Sequence, residues 1–313
     1  MNETGTIFRV GLFGESHGPA VGVLIDGIPP GLPLSVEDLR AELDRRRPGA
    51  EGTTARREAD EPQILSGLYR GRCTGTPLCI TFHNMDARPS DYGSFAAMPR
   101  PGHADFTGGV RYRGYADPRG SGHFSGRLTV GLVAAGTVAK KILAGASFSS
   151  RVTEAGGSTD VGAAVAAALA EGDSVGGMVE IRVDGLPAGL GEPFFGAVES
   201  RVAQAVFAVP GVRGVEFGDG FAAARMRGSE HNDPFTGPGG QTGRNGAGGV
   251  NGGVTNGNAL VVRVALKPPS TISRGQETYN RETGRVETLS CAGRHDACIA
   301  PRAAVALDRK SVV

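Results

Sequence analysis

Two histidines lie in short loops rich in glycine and proline, where an imidazole can reach a ligand. His17 belongs to the segment Gly14-Glu-Ser-His-Gly18, and His103 follows Arg100-Pro-Gly. Each has an acidic residue two positions away, which can tune its pKa for proton transfer near neutral pH. His17 and His103 are therefore candidate acid–base residues, with a purely structural role for each as the alternative.

The segment Gly14–Gly18 also matches G-x-S-x-G, the pattern around the nucleophile of many serine hydrolases. That class requires a helix directly after the serine and, further along the chain, an acid followed by a histidine. Here Pro19 is followed by an apolar run from Ala20 to Asp26, which predicts a strand. A hydrolase built on Ser16 is therefore only the alternative enzyme class.

A glycine-rich segment, Gly120–Gly126, precedes a helical pattern that extends from about Ser125 to Leu143. Its glycine spacing does not match a dinucleotide-binding turn. Backbone N–H groups at a helix N-terminus, together with the Ser125 hydroxyl, favour a phosphate such as that of a mononucleotide. A tight turn without a ligand is the alternative.

Arginines are grouped along the chain, although the formal net charge of the whole chain is only +1. This balance argues against nucleic acid or an anionic membrane as a partner, so any selectivity for anions is local. Arginine forks bind carboxylates and phosphates through paired hydrogen bonds. Converging arginines would suit a ligand with several anionic groups. The arginines concerned are Arg45 to Arg47, Arg56 and Arg57, Arg100, Arg127 and Arg294.

Two similar segments predict a duplicated unit within one domain, residues 1–313. Val23–Leu32 reads VLIDGIPPGL and Ile181–Leu190 reads IRVDGLPAGL, with five identities at one constant offset. Each joins an alternating apolar run to a helical pattern, so strand-turn-helix units are expected near residues 19–47 and 178–208. We expect an α+β fold with pseudo-two-fold symmetry and helices of both halves packed between sheets. A chance recurrence of a common turn is the alternative.

Local patterns set the limits of several elements. Ser35 and Asp38 form a capping-box pattern, which predicts a helix from there to Arg47. A second helix is predicted to carry Phe194, Val198, Val202 and Val206, and strands are predicted over residues 178–184 and 259–266. The stretch from Gly237 to Gly257 is rich in glycine and asparagine and has Arg244 as its one charged residue. It is expected to fold tightly around a ligand, with disorder as the alternative.

The composition predicts a folded cytoplasmic protein without a metal site. Apolar residues make up 39% of the chain, which is enough for a sizeable core. No apolar run reaches 18 residues, and the first ten residues lack the basic and hydrophobic regions of a signal peptide. The four cysteines have no usual zinc spacing, so we expect free thiols.

Eleven ordered sequence blocks between Phe8 and about Val305 resemble the chorismate synthase family. They include F-R-V-x-x-F-G-E-S-H-G, D-G-I-P-P-G-L, R-P-G-H-A-D, D-P-R-G-S-G-H-F-S-G-R-L-T and G-R-H-D-A-C. The resemblance implies a β-α-β sandwich with central helices between two antiparallel sheets. It also implies an anti-1,4-elimination of phosphate from 5-enolpyruvylshikimate 3-phosphate, which gives chorismate. A non-catalytic relative that binds flavin or another anion is a further alternative.

The resemblance also implies cofactors and an assembly. The family requires reduced FMN although its reaction has no net redox change, and NADPH is a possible reductant. Arg46 matches a position that contacts the reducing dinucleotide. The family is a homotetramer whose flavin sites are completed across subunits. In this chain His123-Phe-Ser-Gly-Arg-Leu-Thr129 stands where many members have R-S-S-A-R-E-T, so individual phosphate contacts differ.

Residue roles follow from the same resemblance. His17 would keep the flavin in its productive protonation state, His103 would protonate the departing phosphate, and Asp296 would assist proton abstraction. The positions expected to bind substrate anions are Arg45, Arg100 and Arg127. The positions expected to contact FMN are His123, Phe124, Ser125, Pro210, Gly211, Gly252, Lys267, Pro268, Pro269, Ser270, Thr271 and Arg294.

Overall fold

Two antiparallel sheets form the outer layers of the fold. The computed structural model describes residues 2–47, 58–86, 93–291 and 296–310. The first sheet has the order β1-β2-β3-β7-β4, with β1 Glu3–Thr4, β2 Arg9–Gly14, β3 Ala20–Asp26, β4 Gln63–Ser66 and β7 Leu78–His83. The second has the order β10-β13-β9-β8, with β8 Ser147–Ala155, β9 Gly177–Asp184, β10 Val212–Phe217 and β13 Leu260–Leu266.

The remaining strands form three two-stranded hairpins outside the large sheets. They are β5 Leu68–Tyr69 with β6 Arg72–Cys73, β11 Val250–Asn251 with β12 Val254–Thr255, and β14 Gln276–Asn280 with β15 Arg285–Leu289. The helices are α1 Val36–Arg46, α2 Asp105–Arg111, α3 Thr129–Ile142, α4 Val161–Ala170, α5 Val198–Phe207, α6 Gly228–His231 and α7 Ala300–Lys310. Short 3₁₀ segments cover Arg119–Phe124, Gly126–Leu128 and Gly220–Arg225.

Three helices fill the space between the two large sheets. Helix α3 packs on β3 and β7, α7 packs on β8 and β9, and the two helices pack on each other. Helix α1 contacts both α3 and α7. The α+β fold with central helices between two antiparallel sheets is therefore confirmed. None of the helices in the described part of the chain is long and apolar enough to span a bilayer.

Side-chain alternation and small residues explain this packing. Val21, Val23 and Ile25 of β3 are buried, whereas Leu24 between them is 45% exposed, as expected for a strand with one core face. Every residue of α3 from Val130 to Ala139 is buried. At Gly131 an added Cβ would lie 2.8 Å from the Leu12 side chain. Glycine there allows α3 to lie directly on the first sheet.

Most predicted elements are present, with shifted ends. The helix at Ser35 is confirmed, and its capping box with Asp38 is formed. The long helix begins with a 3₁₀ turn, so that its α-helical part starts only at Thr129. The prediction that Phe194 lies on the second helix is wrong: Ala197 has extended backbone angles, α5 begins at Val198, and Phe194 is 88% exposed. Neither α4 nor α7 was predicted.

The two similar turns have matching backbone geometry. Gly27 and Gly31 have φ values of 78° and 87°, and Gly185 and Gly189 have φ values of 83° and 101°. These left-handed values favour glycine, which explains why it occurs at corresponding positions of both turns. The first turn joins β3 to α1 and the second joins β9 to α5. A pseudo-two-fold relation between the halves stays a prediction.

Candidate active site

A cleft with two compartments lies between the start of α3, the start of α7 and the segment that follows β13. The smaller compartment, of about 330 Å³, is lined by residues that include Arg46, Asp60, Arg127, Asp296 and Arg302, and is called the arginine compartment. The large compartment, of about 750 Å³, is lined by residues that include Leu12, Tyr112, His123, Leu132 and Arg213. Both are lined by His103, Phe124, Ser125, Thr129, Pro210, Gly211 and Lys267.

A buried carboxylate joins two arginines at one wall of the arginine compartment. Asp60, which is 3% exposed, accepts hydrogen bonds from Nη1 of Arg46 at 3.0 Å and from Nη1 of Arg127. Arg46 also donates to Oγ1 of Thr129 at 3.0 Å, and Nε of Arg127 donates to Oδ1 of Asn84 at 2.9 Å. The two guanidinium groups are therefore held in fixed orientations although their charges repel each other.

Local structure places Arg46 and Asp60 at this wall. Arg46 is the last residue of α1 and is 3% exposed. Burial, followed by the charge of Arg302, lowers the pKa of Arg46 to about 9, so the group remains a cation at neutral pH. Asp60 has a φ of 50°, which is in the left-handed region that is uncommon for residues other than glycine, asparagine and aspartate.

His103 lies in a closed hydrogen-bond network at the boundary between the two compartments. Its Nδ1 is 2.7 Å from Oδ1 of Asp105, and its Nε2 is 3.2 Å from Oγ of Ser121. Arg100 donates to both carboxylate oxygens of Asp105, from Nη2 at 2.7 Å and from Nε at 2.8 Å. Although burial opposes ionisation, these hydrogen bonds hold the pKa of Asp105 well below its usual range. The ionised carboxylate therefore fixes the imidazole through an Nδ1–H donor.

Arg100 supports this network and does not line either compartment. Its side chain is 3% exposed, and its guanidinium carbon lies 4.3 Å from the ring centre of Phe95. Nη1 of Arg100 donates to Oγ1 of Thr271 at 2.9 Å. Thr271 itself lines the arginine compartment. In this structure Arg100 therefore reaches the cleft through Asp105 and Thr271.

The segment from Lys267 to Thr271 forms the opposite wall. Nζ of Lys267 donates to the carbonyl oxygen of Gly102 at 2.8 Å and to Oγ of Ser270. Burial, followed by the nearby charge of Arg213, lowers the pKa of Lys267. A partly buried ammonium group with few carboxylate neighbours favours an anionic ligand.

The start of α7 provides the third wall. Nη1 of Arg302 donates to Oδ2 of Asp296 at 3.1 Å. Ala303 of α7 and Ile299, which directly precedes the helix, line the compartment beside Arg302, and the N–H of Ala303 donates to the carbonyl oxygen of Ile299 at 2.9 Å. Arg302 was not among the predicted site residues, since nothing in the local sequence distinguishes it from a surface arginine.

His17 lies behind the cleft. It is 7% exposed, and its Nδ1 is 3.3 Å from Oγ of Ser16. An added Cβ at Gly120 would overlap the His17 ring, so the glycine permits this close packing. Ser16 is buried and is followed by β3, not by the helix that a nucleophile elbow requires.

Gly252 is remote from the other predicted flavin positions of the same chain. It lies in the turn of the β11–β12 hairpin, next to Gly253, whose carbonyl oxygen accepts the N–H of Val198 at 2.9 Å. Val198 begins α5, and Pro210 follows its other end. Since a helix of ten residues is about 15 Å long, Gly252 and Pro210 lie at opposite ends of α5.

The structure thus brings most of the predicted site residues together. The cleft contains His103, Asp296, Arg46, Arg127, His123, Phe124, Ser125, Pro210, Gly211 and the segment from Lys267 to Thr271. His17, Arg45, Arg100 and Gly252 do not line it, and Arg294 lies outside the described residues. The sequence analysis missed several lining residues, which are Glu58, Asp60, Thr129, Arg213 and Arg302.

The cleft and the fold define an α+β protein with a cation-lined cleft beside an oriented histidine. The model of the chorismate synthase family matches residues 8–312. A chorismate synthase of Chitinophaga pinensis is 54% identical over 98% of this chain and 93% of the relative. One of Thermococcus kodakarensis is 46% identical over 96% of this chain and 92% of the relative.

A solved structure agrees with these sequence matches. The crystal structure of a chorismate synthase aligns with a TM-score of 0.74 at 26% identity, covering 99% of this chain and 90% of that chain. The chain belongs to the chorismate synthase family and is a carbon–oxygen lyase. Its family acts on a small-molecule substrate and requires a reduced flavin. The serine hydrolase alternative is not supported.

Proposed function

We propose that the cleft binds 5-enolpyruvylshikimate 3-phosphate and reduced FMN, and that the protein removes phosphate and a proton to form chorismate. The observation that carries this proposal is the arginine compartment, where Arg46, Arg127, Lys267 and Arg302 meet beside His103. The substrate has two carboxylates and one phosphate, which match a group of cations with convergent N–H donors. We further propose that the reaction takes place in the cytoplasm.

The large compartment fits a flavin mononucleotide. Its volume of about 750 Å³ is in the range of cofactor sites, and the side chains of Leu12, Leu128 and Leu132 offer an apolar surface for a ring system. Lys267 and Arg213 provide positive charge for a phosphate. We propose that His123, Phe124, Ser125, Pro210, Gly211 and the segment from Lys267 to Thr271 hold FMN. When bound in reduced form, FMN supplies electron density that helps phosphate to leave.

We propose that His103 donates a proton to the departing phosphate. Asp105 is hydrogen-bonded to Nδ1 of His103, which leaves Nε2 as the nitrogen available for the reaction. The neighbour of Nε2 is Oγ of Ser121. Arg46 and Arg127 stabilise the negative charge of the substrate, and Asp296 assists removal of the proton. His17 contacts Ser16 and the Gly120 segment, so its proposed proton donation to the flavin requires access from behind the cleft.

We also propose a homotetramer whose flavin sites contain residues of two subunits. The position of Gly252 at the far end of α5 from Pro210 supports this arrangement, because a flavin held at Gly252 by a neighbouring subunit would account for both predicted contacts. Large exposed aromatic side chains also support an interface, including Phe194 at 88% and Phe195 at 95% exposure. NADPH remains a possible reductant, but Arg46 is buried, so a dinucleotide would have to enter the arginine compartment to touch it.

An anaerobic assay tests the proposal. Purified protein is mixed with dithionite-reduced FMN and 5-enolpyruvylshikimate 3-phosphate, and chorismate is measured for the parent and for His103→Ala, His17→Ala and His231→Ala. We expect turnover by the parent and a loss of about a hundredfold or more for His103→Ala and His17→Ala. His231→Ala is the matched control, because His231 pairs with Asp219 outside the cleft. A parent that binds reduced FMN without turnover would instead be a binding-only relative.

A further inference from the structure

Among the described residues, Arg302 is the cation of the arginine compartment to which the proposed function assigns no role. It lies in the first turn of α7, and its neighbours Ala303 in the helix and Ile299 directly before the helix also line the compartment. The helix packs on β8, β9 and α3, so its first turn is held in place by the core. A side chain on such a rigid element suits a binding site.

The hydrogen bonds of Arg302 leave part of its guanidinium unused. Nη1 donates to Oδ2 of Asp296, but Nε is buried and has no acceptor among the described residues. A buried donor without an acceptor destabilises a protein, because the donor has lost its hydrogen bond to water. Buried donors normally have partners, so a missing partner at the wall of a cavity points to a ligand oxygen.

The charges around Arg302 also favour an anion. The charges of Arg127 and Arg302 both repel the charge of Arg46, and Asp60 and Asp296 are the counter-charges that act on it. Asp60 is shared by Arg46 and Arg127, and Arg302 is bonded to Asp296. Among the described residues that line the compartment, the four cations Arg46, Arg127, Lys267 and Arg302 face the three carboxylates Glu58, Asp60 and Asp296, so an incoming anionic group would reduce the repulsion between Arg302 and Arg46.

We infer that Arg302 is a further substrate-binding residue, which donates hydrogen bonds to a carboxylate or phosphate oxygen of the substrate while it holds Asp296. This inference rests on the proposed function, because it assigns a ligand to the same cleft. Asp296 and the substrate would then share one guanidinium. Such a shared fork fixes the distance between the carboxylate and the bound substrate.

The test compares Arg302→Met and Arg302→Lys with the parent in the anaerobic assay. We expect KM for the substrate to rise about tenfold or more in Arg302→Met, because a substrate contact is lost, together with a fall in kcat, because Asp296 loses the guanidinium that orients it. Arg302→Lys should recover part of the affinity, since it keeps the charge but not the fork. The matched control is Arg151→Met, which removes an arginine that is 72% exposed and paired with Glu180.

Two inhibitors separate the possible ligand groups. Inorganic phosphate carries only the phosphate chemistry and chorismate carries only the carboxylates, so weaker inhibition of Arg302→Met by one of them identifies the group that Arg302 contacts. An unchanged KM in both Arg302 variants, or a fall in kcat at unchanged KM, would overturn the inference and leave Arg302 as a positioning residue for Asp296. A parent without turnover would overturn the proposed function itself.

Discussion

Two neighbouring arginines of α1 end in two different buried ionic clusters. Arg46 bonds to Asp60 at the wall of the arginine compartment, whereas Arg45 bonds to Asp308 at 3.3 Å, between α1, α3, α7 and β8. Successive residues of a helix point about 100° apart, which explains the separation. Each carboxylate is shared with a second cation, but only the Asp60 cluster lines the cleft. Adjacent arginines of one motif therefore serve different purposes.

The Asp308 cluster connects the central helices. Asp308 is fully buried and accepts hydrogen bonds from Nζ of Lys140 at 3.2 Å and from Oγ of Ser150 at 3.0 Å. Burial raises the pKa of Asp308 to about 6, against the opposing charge of Arg45. The Asp60 cluster lines the cleft and the Asp308 cluster does not, so Arg45 contributes to the packing of the central helices. The predicted contact of Arg45 with the substrate stays a prediction.

The largest expected effect comes from breaking the Asp60 cluster. Asp60→Asn keeps a side chain that tolerates the left-handed backbone but removes the charge between Arg46 and Arg127. Removing one member of a buried ion pair costs about 3–5 kcal/mol, because the other charges remain buried. We expect a loss of about 3 kcal/mol or more in the free energy of unfolding, measured with urea at pH 7 and fixed protein concentration.

Asp184→Asn is the control for this measurement. Asp184 pairs with Arg182 at 2.7 Å, and both side chains are about half exposed. Such a surface pair is worth about 1 kcal/mol or less. Equal losses in Asp60→Asn and Asp184→Asn would show that the Asp60 cluster contributes no more than a surface pair.

The second expected effect distinguishes the two clusters by pH. The pKa of Asp308 is raised from 3.8 to about 6 in the folded protein, so between these values the folded protein holds a proton that the unfolded chain has released. Stability relative to Asp308→Asn should therefore fall as the pH rises from 4 to 6, by about 2 kcal/mol. Urea unfolding of both proteins at several pH values measures this difference in the free energy of unfolding. A constant difference across this range would contradict the raised pKa.

The third and smallest expected effect separates the arginines by activity. Arg46→Met should lower kcat/KM at least about tenfold, since Arg46 lines the cleft, whereas Arg45→Met should change it less than about threefold. Steady-state assays of both variants, at a temperature where each is folded, provide the comparison. A similar loss in Arg45→Met would instead support the substrate contact that the family resemblance implies for Arg45.

Sequence patterns predicted the elements that carry the site better than the contacts within it. The capping box of Ser35 and Asp38 and the alternation of β3 depend on residues a few positions apart, and both are present. Helix α7 was missed, because Pro301 in its first turn resembles a helix breaker although proline is tolerated there. Asp60 was missed because its partner Arg127 is 67 positions away, and local spacing does not encode such a pair.

Asp60 is also subject to two separate demands that restrict which amino acid can evolve at its position. The left-handed backbone is acceptable to glycine, asparagine and aspartate, and it disfavours glutamate. The two guanidinium groups demand a negative charge, which only aspartate and glutamate provide. Aspartate meets both demands with the least backbone strain. Glutamate at this position would keep the charge at the cost of strain, and asparagine would keep the backbone at the cost of the charge.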